Sequence, residues 1–417
     1  MASPATSEQI GGGPAKATAY GWLVFALSFG LLISDYMARQ VLNAVFPLLK
    51  AEWALSDSQL GLLSGVVAAM VGLLTFPLSL AADRWGRVRS LAIMAVLWSI
   101  ATLLCAAAPN FQQMLLGRAL VGVGEAAYGS VGIAVVISVF PKHMRGTLSA
   151  AFMAGGVFGQ VLGVAVGAEI AAREGWRAAF FAIGIFGLAL GLLYPLLVRE
   201  RRISAITDLG AAEKGGLSLR GLVSTPAVCF AYIGSGLQLF SAGALPAWLP
   251  SFFNRYYQLP IDRAGRFAAA LLLVCGCGMI LCGMLSDRLA KSGPSRNVAL
   301  AIAYSLGSAL CLAIAFHLPP GLAQLVSLGV AMFFVAGTTG PAGAMVARLT
   351  PLRVHASAFA VLTLANNFLG LAPGPIAIGQ IADRIGLLGA LQLLPATCIA
   401  ASLAFAAIGR KAISETG

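Results

Sequence analysis

Asp35, Arg39, Arg118 and Glu125 each interrupt a long apolar stretch of the chain. At mid-bilayer depth a charged side chain costs about 2.5–3.5 kcal/mol on insertion scales, so such residues face a bundle interior or a wet cavity and mark a route for cargo or protons. Ser34-Asp35-Tyr36-Met37-Ala38-Arg39-Gln40 sets Asp35 and Arg39 one helical turn apart, with Tyr36 between them. In Gly117-Arg118-Ala-Leu-Val-Gly122-Val-Gly124-Glu125-Ala126-Ala127-Tyr128 the two charges stand seven apart on one helix face, with Tyr128 beyond. The four ionisable groups are expected to meet in one buried cluster, Asp35 staying ionised beside Arg118 because a nearby opposite charge favours the charged form. An anion that took Arg118 would leave Asp35 desolvated and unpaired, so Asp35 would take a proton. Occupancy by cargo and by proton would then be linked. Glu125 is expected to act as a second proton carrier or to orient Arg118.

The elements that position these residues follow from composition. The 417 residues are 59% hydrophobic and 10% charged, and the mean hydropathy is +0.89. Soluble domains carry about 25% charged residues, so lipid must be the solvent for most of this surface. Spanning helices need about 20 mainly apolar residues, and twelve runs meet that length: 21–49, 57–82, 88–108, 112–140, 144–172 and 176–198, then 224–253, 262–286, 296–317, 320–347, 355–382 and 387–409. Ser56 and Gln59 form a capping-box pattern at the start of the second. The reading is an all-α membrane protein organised as a tail (1–20), a six-helix bundle (21–198), a linker (199–222), a second six-helix bundle (223–409) and a tail (410–417). The first twenty residues lack a short apolar core with a cleavage site, so no signal peptide is expected.

The net charge of +12 resides in short clusters between apolar runs, without the continuous patch that nucleic acid would need. With both termini in the cytoplasm, eighteen of the 27 Lys and Arg fall on that side, as the positive-inside bias requires. All seven cysteines lie in apolar runs, which excludes a disulfide framework, and the Cys275/Cys277 pair has no polar partner that would complete a metal site. His143, His317 and His355 lie at helix ends or loops, and no nucleophile–base pair is present in the helices, which argues against an enzyme. No nucleotide-binding loop is present.

An internal repeat divides the chain. Ser79-Leu-Ala-Ala-Asp83-Arg84-Trp-Gly86-Arg87 returns as Gly283-Met-Leu-Ser-Asp287-Arg288-Leu-Ala-Lys291, and the Pro141/Arg145 loop returns as Pro351/Arg353. Parallel repeats of this kind build two halves about an axis along the membrane normal. The second half has almost no charge in its helices. Its polar candidates are Gln238, Thr338, Thr339, Asn366 and Asn367, with Phe240, Trp248, Phe333, Phe334 and Phe368 as apolar surface. A cavity charged on one side and apolar on the other suits an amphipathic anion better than a sugar. Small residues in Gly155-Gly156-x-x-Gly159-x-x-x-Gly163-x-x-x-Gly167 and Gly370-x-x-x-Gly374 predict close-packed helix seams where the halves can rock.

Asp83-Arg84-x-Gly86-Arg87 resembles the signature loop of the major facilitator superfamily, with Ser79 in place of its leading glycine. The resemblance implies two pseudo-symmetric six-helix bundles, alternating access, and a gating role for Asp83, Arg84, Gly86 and Arg87 and for the second copy at Gly283, Asp287 and Arg288. Asp35-Tyr-x-x-Arg39-Gln, Ala54-Leu-Ser56-Asp57-Ser-Gln59-Leu-Gly61 and the Gly117–Ala126 stretch look like the spinster branch, although Ala38 interrupts the usual Asp-Arg pair. That likeness implies lysophospholipid or sphingosine phosphate cargo, proton coupling in some members, and matching roles for Asp35, Arg118 and Glu125.

The leading expectation is a secondary active carrier, driven by a proton gradient and without cofactors, that moves an amphipathic anion such as a lysolipid. A carrier of small organic or sugar acids is the alternative, followed by a drug antiporter, whose fifth-helix Gly-Pro is absent here because Gln160 follows Gly159. The expected partners are the cargo and the bilayer. The chain is expected to act as a monomer in a bacterial inner membrane.

Overall fold

The computed structural model describes residues 18–200, 225–290, 295–351 and 354–414, and the side chain of Asp83 is outside what is described. Most of the linker expected at 199–222 and nearly all of the N-terminal tail also lie outside the described residues. Among the described residues every regular element is helical. Eleven helices are long and apolar enough to cross a membrane. The first is Ala19–Ala44, the second Asp57–Trp85, the third Arg87–Ala106, the fourth Phe111–Ser138, the fifth Arg145–Glu174 and the sixth Trp176–Leu197. The seventh is Pro226–Tyr256, the eighth Ile261–Ala290, the ninth Ser295–His317, the tenth Leu322–Leu349 and the eleventh Ser357–Leu391.

A twelfth helix, Leu394–Ser414, has a shorter apolar part, Leu394–Ile408. Its first turn belongs before Leu394. Gly386 is non-helical, with φ 80° and ψ 159°, so the eleventh span turns there and the chain recrosses from Leu387. Gly175 makes the same turn between the fifth and sixth spans at φ 85°. These conformations are open to glycine and strained for other residues. Their equivalent places in the two halves match the sequence repeat.

A second symmetric feature matters more for chemistry. The fourth span breaks after Glu125 and restarts at Tyr128, and the tenth breaks after Val335 and restarts at Thr339. Interrupted helices expose polar groups at membrane depth where they border a cavity. The breaks place Glu125 on one side of the molecule and Thr338 and Thr339 on the other. At the first break, the Thr75 hydroxyl donates to the Ala126 carbonyl at 2.7 Å.

Within the first half, the first span packs on the fifth and sixth, and the third on the fourth and sixth. Within the second, the seventh packs on the eleventh and twelfth, and the ninth on the tenth and twelfth. The halves meet where the second span lies on the eleventh, the fifth on the eighth and the first on the seventh. The fifth-span glycines do not serve the rocking interface expected of them. They face the first span of their own half, where a Cβ at Gly163 would come within 2.8 Å of Met37 Cα. The close approach between halves uses other glycines: Gly61 and Gly72 of the second span against the Pro375 carbonyl and Asn367, Gly265 and Gly276 of the eighth against Ala168 and Val157 of the fifth, and Gly379 of the eleventh against the Asp57 carbonyl.

A cluster of hydrogen bonds and ion pairs joins the halves at the face opposite the chain termini, the far face. Arg255 grips the Asp57 carboxylate with both terminal nitrogens at 2.8 Å, and Lys50 reaches the same carboxylate at 2.6 Å. Asp383 accepts from the Asp57 and Ser58 amides at 2.7 and 2.9 Å and from the Ser58 hydroxyl at 2.5 Å. An anion at a helix N-terminus satisfies orphan amides and complements the dipole. The expected capping box is present beside it, with Gln59 N–H on Ser56 Oγ at 3.1 Å and Ser56 N–H on Gln59 Oε1 at 3.0 Å. At the termini face Arg84, Asp287 and Arg288 are exposed. The halves are latched together at the far face.

This latch yields a test. Asp57 is buried, so Asp57→Ala strips two cations of their partner, and charged hydrogen bonds contribute about 1.5–3 kcal/mol each. The variant is expected to label at least tenfold faster at a cysteine placed on the far-face lining of the cavity. Labelling at the wild-type rate would remove the latch from the gating cycle.

Candidate transport site

Between the halves lies a cavity of about 310 Å³. Its first-half wall is polar: Tyr36, Arg39, Gln40, Asn43, Ser64 and Gln160. The second-half wall is apolar except for Thr339, with Leu239, Leu272, Cys275, Met279 and Leu371 as main contributors. Trp248 seats the far end, donating its Nε1–H to the Pro375 carbonyl at 3.1 Å and packing on Phe46 at 5.3 Å between ring centroids.

Arg39 is the one charged residue in that lining. Its guanidinium stands 5.3 Å from the Tyr36 ring centroid, and Nε and Nη2 hold Glu125 Oε2 at 3.0 and 2.8 Å. The Glu125 side chain has no exposed surface, whereas that of Arg39 is 21% exposed. The cation therefore separates the cavity from a buried acid. Asp35, one turn before Arg39, brings its carboxyl against that of Glu125. Glu125 Oε1 and Asp35 Oδ1 have no hydrogen-bond partner among the described residues.

Arg118 behaves differently from expectation. It is fully buried, and its donors go to backbone carbonyls: Nη1 to Ala38 at 2.8 Å, Nη2 to Arg39 at 3.0 Å and Nε to Leu63 at 3.4 Å. No ion pair joins it to Asp35 among the described residues. The expected pairing of Asp35 with Arg118 is thus corrected to Arg39 with Glu125, because Arg39 reaches the acid at the helix break while Arg118 clamps the first span to the second. Tyr128 is buried and donates to the Ser28 carbonyl at 2.7 Å, away from the cavity.

The second-half candidates divide in the same way. Thr339 lines the cavity. Gln238 is fully buried and donates to Ser308 Oγ at 3.2 Å and the Val335 carbonyl at 3.1 Å, bracing the break in the tenth span. Asn366 and Asn367 open a π-helical turn, Asn366–Leu371, in the eleventh span. Asn366 accepts from Ser235 at 2.7 Å, and Asn367 donates to the Thr363 carbonyl at 2.9 Å. Phe368 is 47% exposed on the outer surface. Neither asparagine is among the residues that line the cavity. Sequence reasoning passed over Gln40, Asn43 and Ser64, although each is a polar residue in an apolar run. Asn43 donates to Gln40 Oε1 at 2.7 Å, an i,i+3 pair that the spacing foreshadows.

In the signature loop, Gly86 has φ 93° and links the second span directly to the third. Glu200 accepts from the amides of Arg87 and Val88 at 2.9 and 2.8 Å and caps the third span. Gly283 of the second copy lies beside Gly340.

Two pseudo-symmetric helical halves, shut at one face over a central cavity, define a membrane transporter. Residues 27–375 match the model of the Major Facilitator Superfamily, and the chain belongs to that family. The "Probable L-galactonate transporter" of Escherichia coli is 26% identical over 401 residues, covering 92% of this chain and 87% of that protein. "Protein spinster homolog 1" of Homo sapiens is 26% identical over 389 residues, covering 87% of this chain and 73% of that one. The crystal structure of a bacterial homolog to the human lysosomal transporter Spinster, inward-facing and occupied, superposes with TM-score 0.85 at 20% identity, over 95% of this chain and 98% of that one. The chain is a multi-pass membrane transporter that resembles the spinster branch.

Proposed function

We propose that this transporter couples proton movement to passage of an amphipathic organic anion, with Arg39 as the anion receptor. One observation carries the reading: a lone cavity-facing cation is held by a buried glutamate that touches a second buried carboxyl. An anionic group arriving in the cavity competes with Glu125 for the Arg39 guanidinium, whose fork suits carboxylate and phosphate. Glu125 then faces Asp35 without its cation. Two carboxylates in contact cannot both stay ionised in a site of low dielectric, so a proton joins the pair. When cargo leaves toward the other side, Arg39 returns to Glu125 and the proton is released. Cargo and proton are thereby bound in a linked manner. The positive-inside bias supports a cytoplasmic location for both termini, which would put the latched far face on the outside.

The volume, about 310 Å³, and the amides of Gln40, Asn43 and Gln160 favour a compact organic or sugar acid with an apolar face. A second reading, a lysolipid, is favoured by the apolar second-half wall, along which a tail could lie. Proteoliposomes under an imposed pH gradient separate the two. With the interior alkaline or acidic, uptake of a panel of sugar acids, aromatic acids and lysolipids is measured together with external pH. Saturable uptake with proton movement is expected for one of these classes. Uptake of every cargo at rates indifferent to the gradient would end the coupling scheme.

A further inference from the structure

A second concavity lies outside the transport site, at the termini face between the third and sixth spans. It is a groove of about 660 Å³ whose walls include Ala92, Ile93 and Pro195 and whose rim carries Arg89, Arg199 and Glu200. Three features fix what fits it. First, it opens on the lipid-facing surface, where Ile93 is 47% and Leu196 72% exposed, so an acyl chain and not water is the natural filling. Second, Arg89 in the first turn of the third span and Arg199 just past the end of the sixth stand at headgroup level, and neither guanidinium has a partner among the described residues. Third, the one carboxylate on the rim is already engaged: Glu200 accepts from the backbone amides of Arg87, Val88 and Arg89, the last at 3.4 Å. What remains is two unpaired cations above an apolar slot.

We propose that this groove is a binding site for one anionic phospholipid of the surrounding bilayer, its phosphate between Arg89 and Arg199 and an acyl chain along Ala92, Ile93 and Pro195. Basic pockets between membrane helices on the cytoplasmic side select such headgroups. A zwitterionic lipid brings a positive ammonium group toward the same two guanidiniums and is disfavoured. The bound lipid ties the third span to the sixth immediately beside Gly86, the one-residue link between the second and third spans. It therefore belongs to the scaffold of the first half and not to the cargo path.

The test is native mass spectrometry of the purified full chain, titrated with phosphatidylglycerol and, separately, phosphatidylcholine of the same chains. Phosphatidylglycerol is expected to be retained in preference. In R89A/R199A its affinity is expected to fall roughly thirty-fold, two basic groups contributing about 1 kcal/mol each. The charge-conserving R89K/R199K is expected to keep most of the affinity, and millimolar inorganic phosphate is expected not to displace the lipid, since it cannot fill the apolar slot. Equal retention of the two lipids, an unchanged affinity in R89A/R199A, or displacement by free phosphate would each overturn the assignment. All substituted side chains are exposed, so folding is not at stake.

Discussion

Arg39→Gln is expected to lower the kcat/KM of anion uptake by about 10- to 100-fold while leaving the protein folded. The magnitude follows from losing charged hydrogen bonds of about 1.5–3 kcal/mol at the one cation in the cavity lining. Gln keeps hydrogen-bonding capacity toward Glu125 but offers no charge to cargo. Part of the effect is specific to the coupling scheme. With no cation to exchange, Glu125 and Asp35 stay in the same protonation state whether or not cargo is present, so cargo-induced proton movement is expected to vanish together with the gradient dependence of residual uptake. Arg39→Lys restores the charge but not the fork and is expected to recover the rate partially. Proteoliposome uptake with a pH electrode measures all three variants. Wild-type efficiency in Arg39→Gln would transfer the receptor role elsewhere.

Arg118→Leu is expected to fail in a different manner, by loss of folded protein. Arg118 is fully buried and satisfies the carbonyls of Ala38 and Arg39 in the first span and of Leu63 in the second. Leaving a buried acceptor without its donor costs about 1–3 kcal/mol. The expected readouts are a lower melting temperature in detergent and a smaller monodisperse peak on size exclusion, with transport of every cargo reduced in parallel. Arg118→Lys is expected to be intermediate, because a single ammonium cannot span three carbonyls as the guanidinium does. A stable Arg118→Leu protein that loses only anion transport would restore Arg118 as the cargo receptor and displace Arg39. The two arginines, both intramembrane, are thus separable by reading stability together with cargo-induced proton movement.

The contrast between them shows where sequence reasoning stopped. Asp35, Arg39, Arg118 and Glu125 were conspicuous because charge in an apolar run is costly, and all four do come together in the first half. Which cation meets which anion was not legible. Helix periodicity places Arg118 and Glu125 on one face, but the fourth span breaks after Glu125, and the break turns the acid toward Arg39. Nor could spacing say that the backbone, and not a carboxylate, would take up the Arg118 donors. In the second half, Gln238 and Asn367 looked like cargo ligands because they are polar in an apolar run. Such residues are equally able to mend irregular helices, and the breaks that need mending appear only after folding.

By itself the sequence determined the solvent, the number of crossings, the two-fold repeat and the set of charges inside the apolar runs of the first half. These depend on local composition and on period, which a bilayer of fixed thickness reads directly. Only the tertiary structure decided that Arg39 faces the cavity, that Arg118 is a clamp, that Asp57, Arg255 and Asp383 shut the far face, and that glycines of the second and eighth spans lie at the contact between halves. Each of those depends on how side chains tens to hundreds of residues apart compete for the same partners. That competition is settled by the geometry of packed helices, not by the order of residues along any one of them.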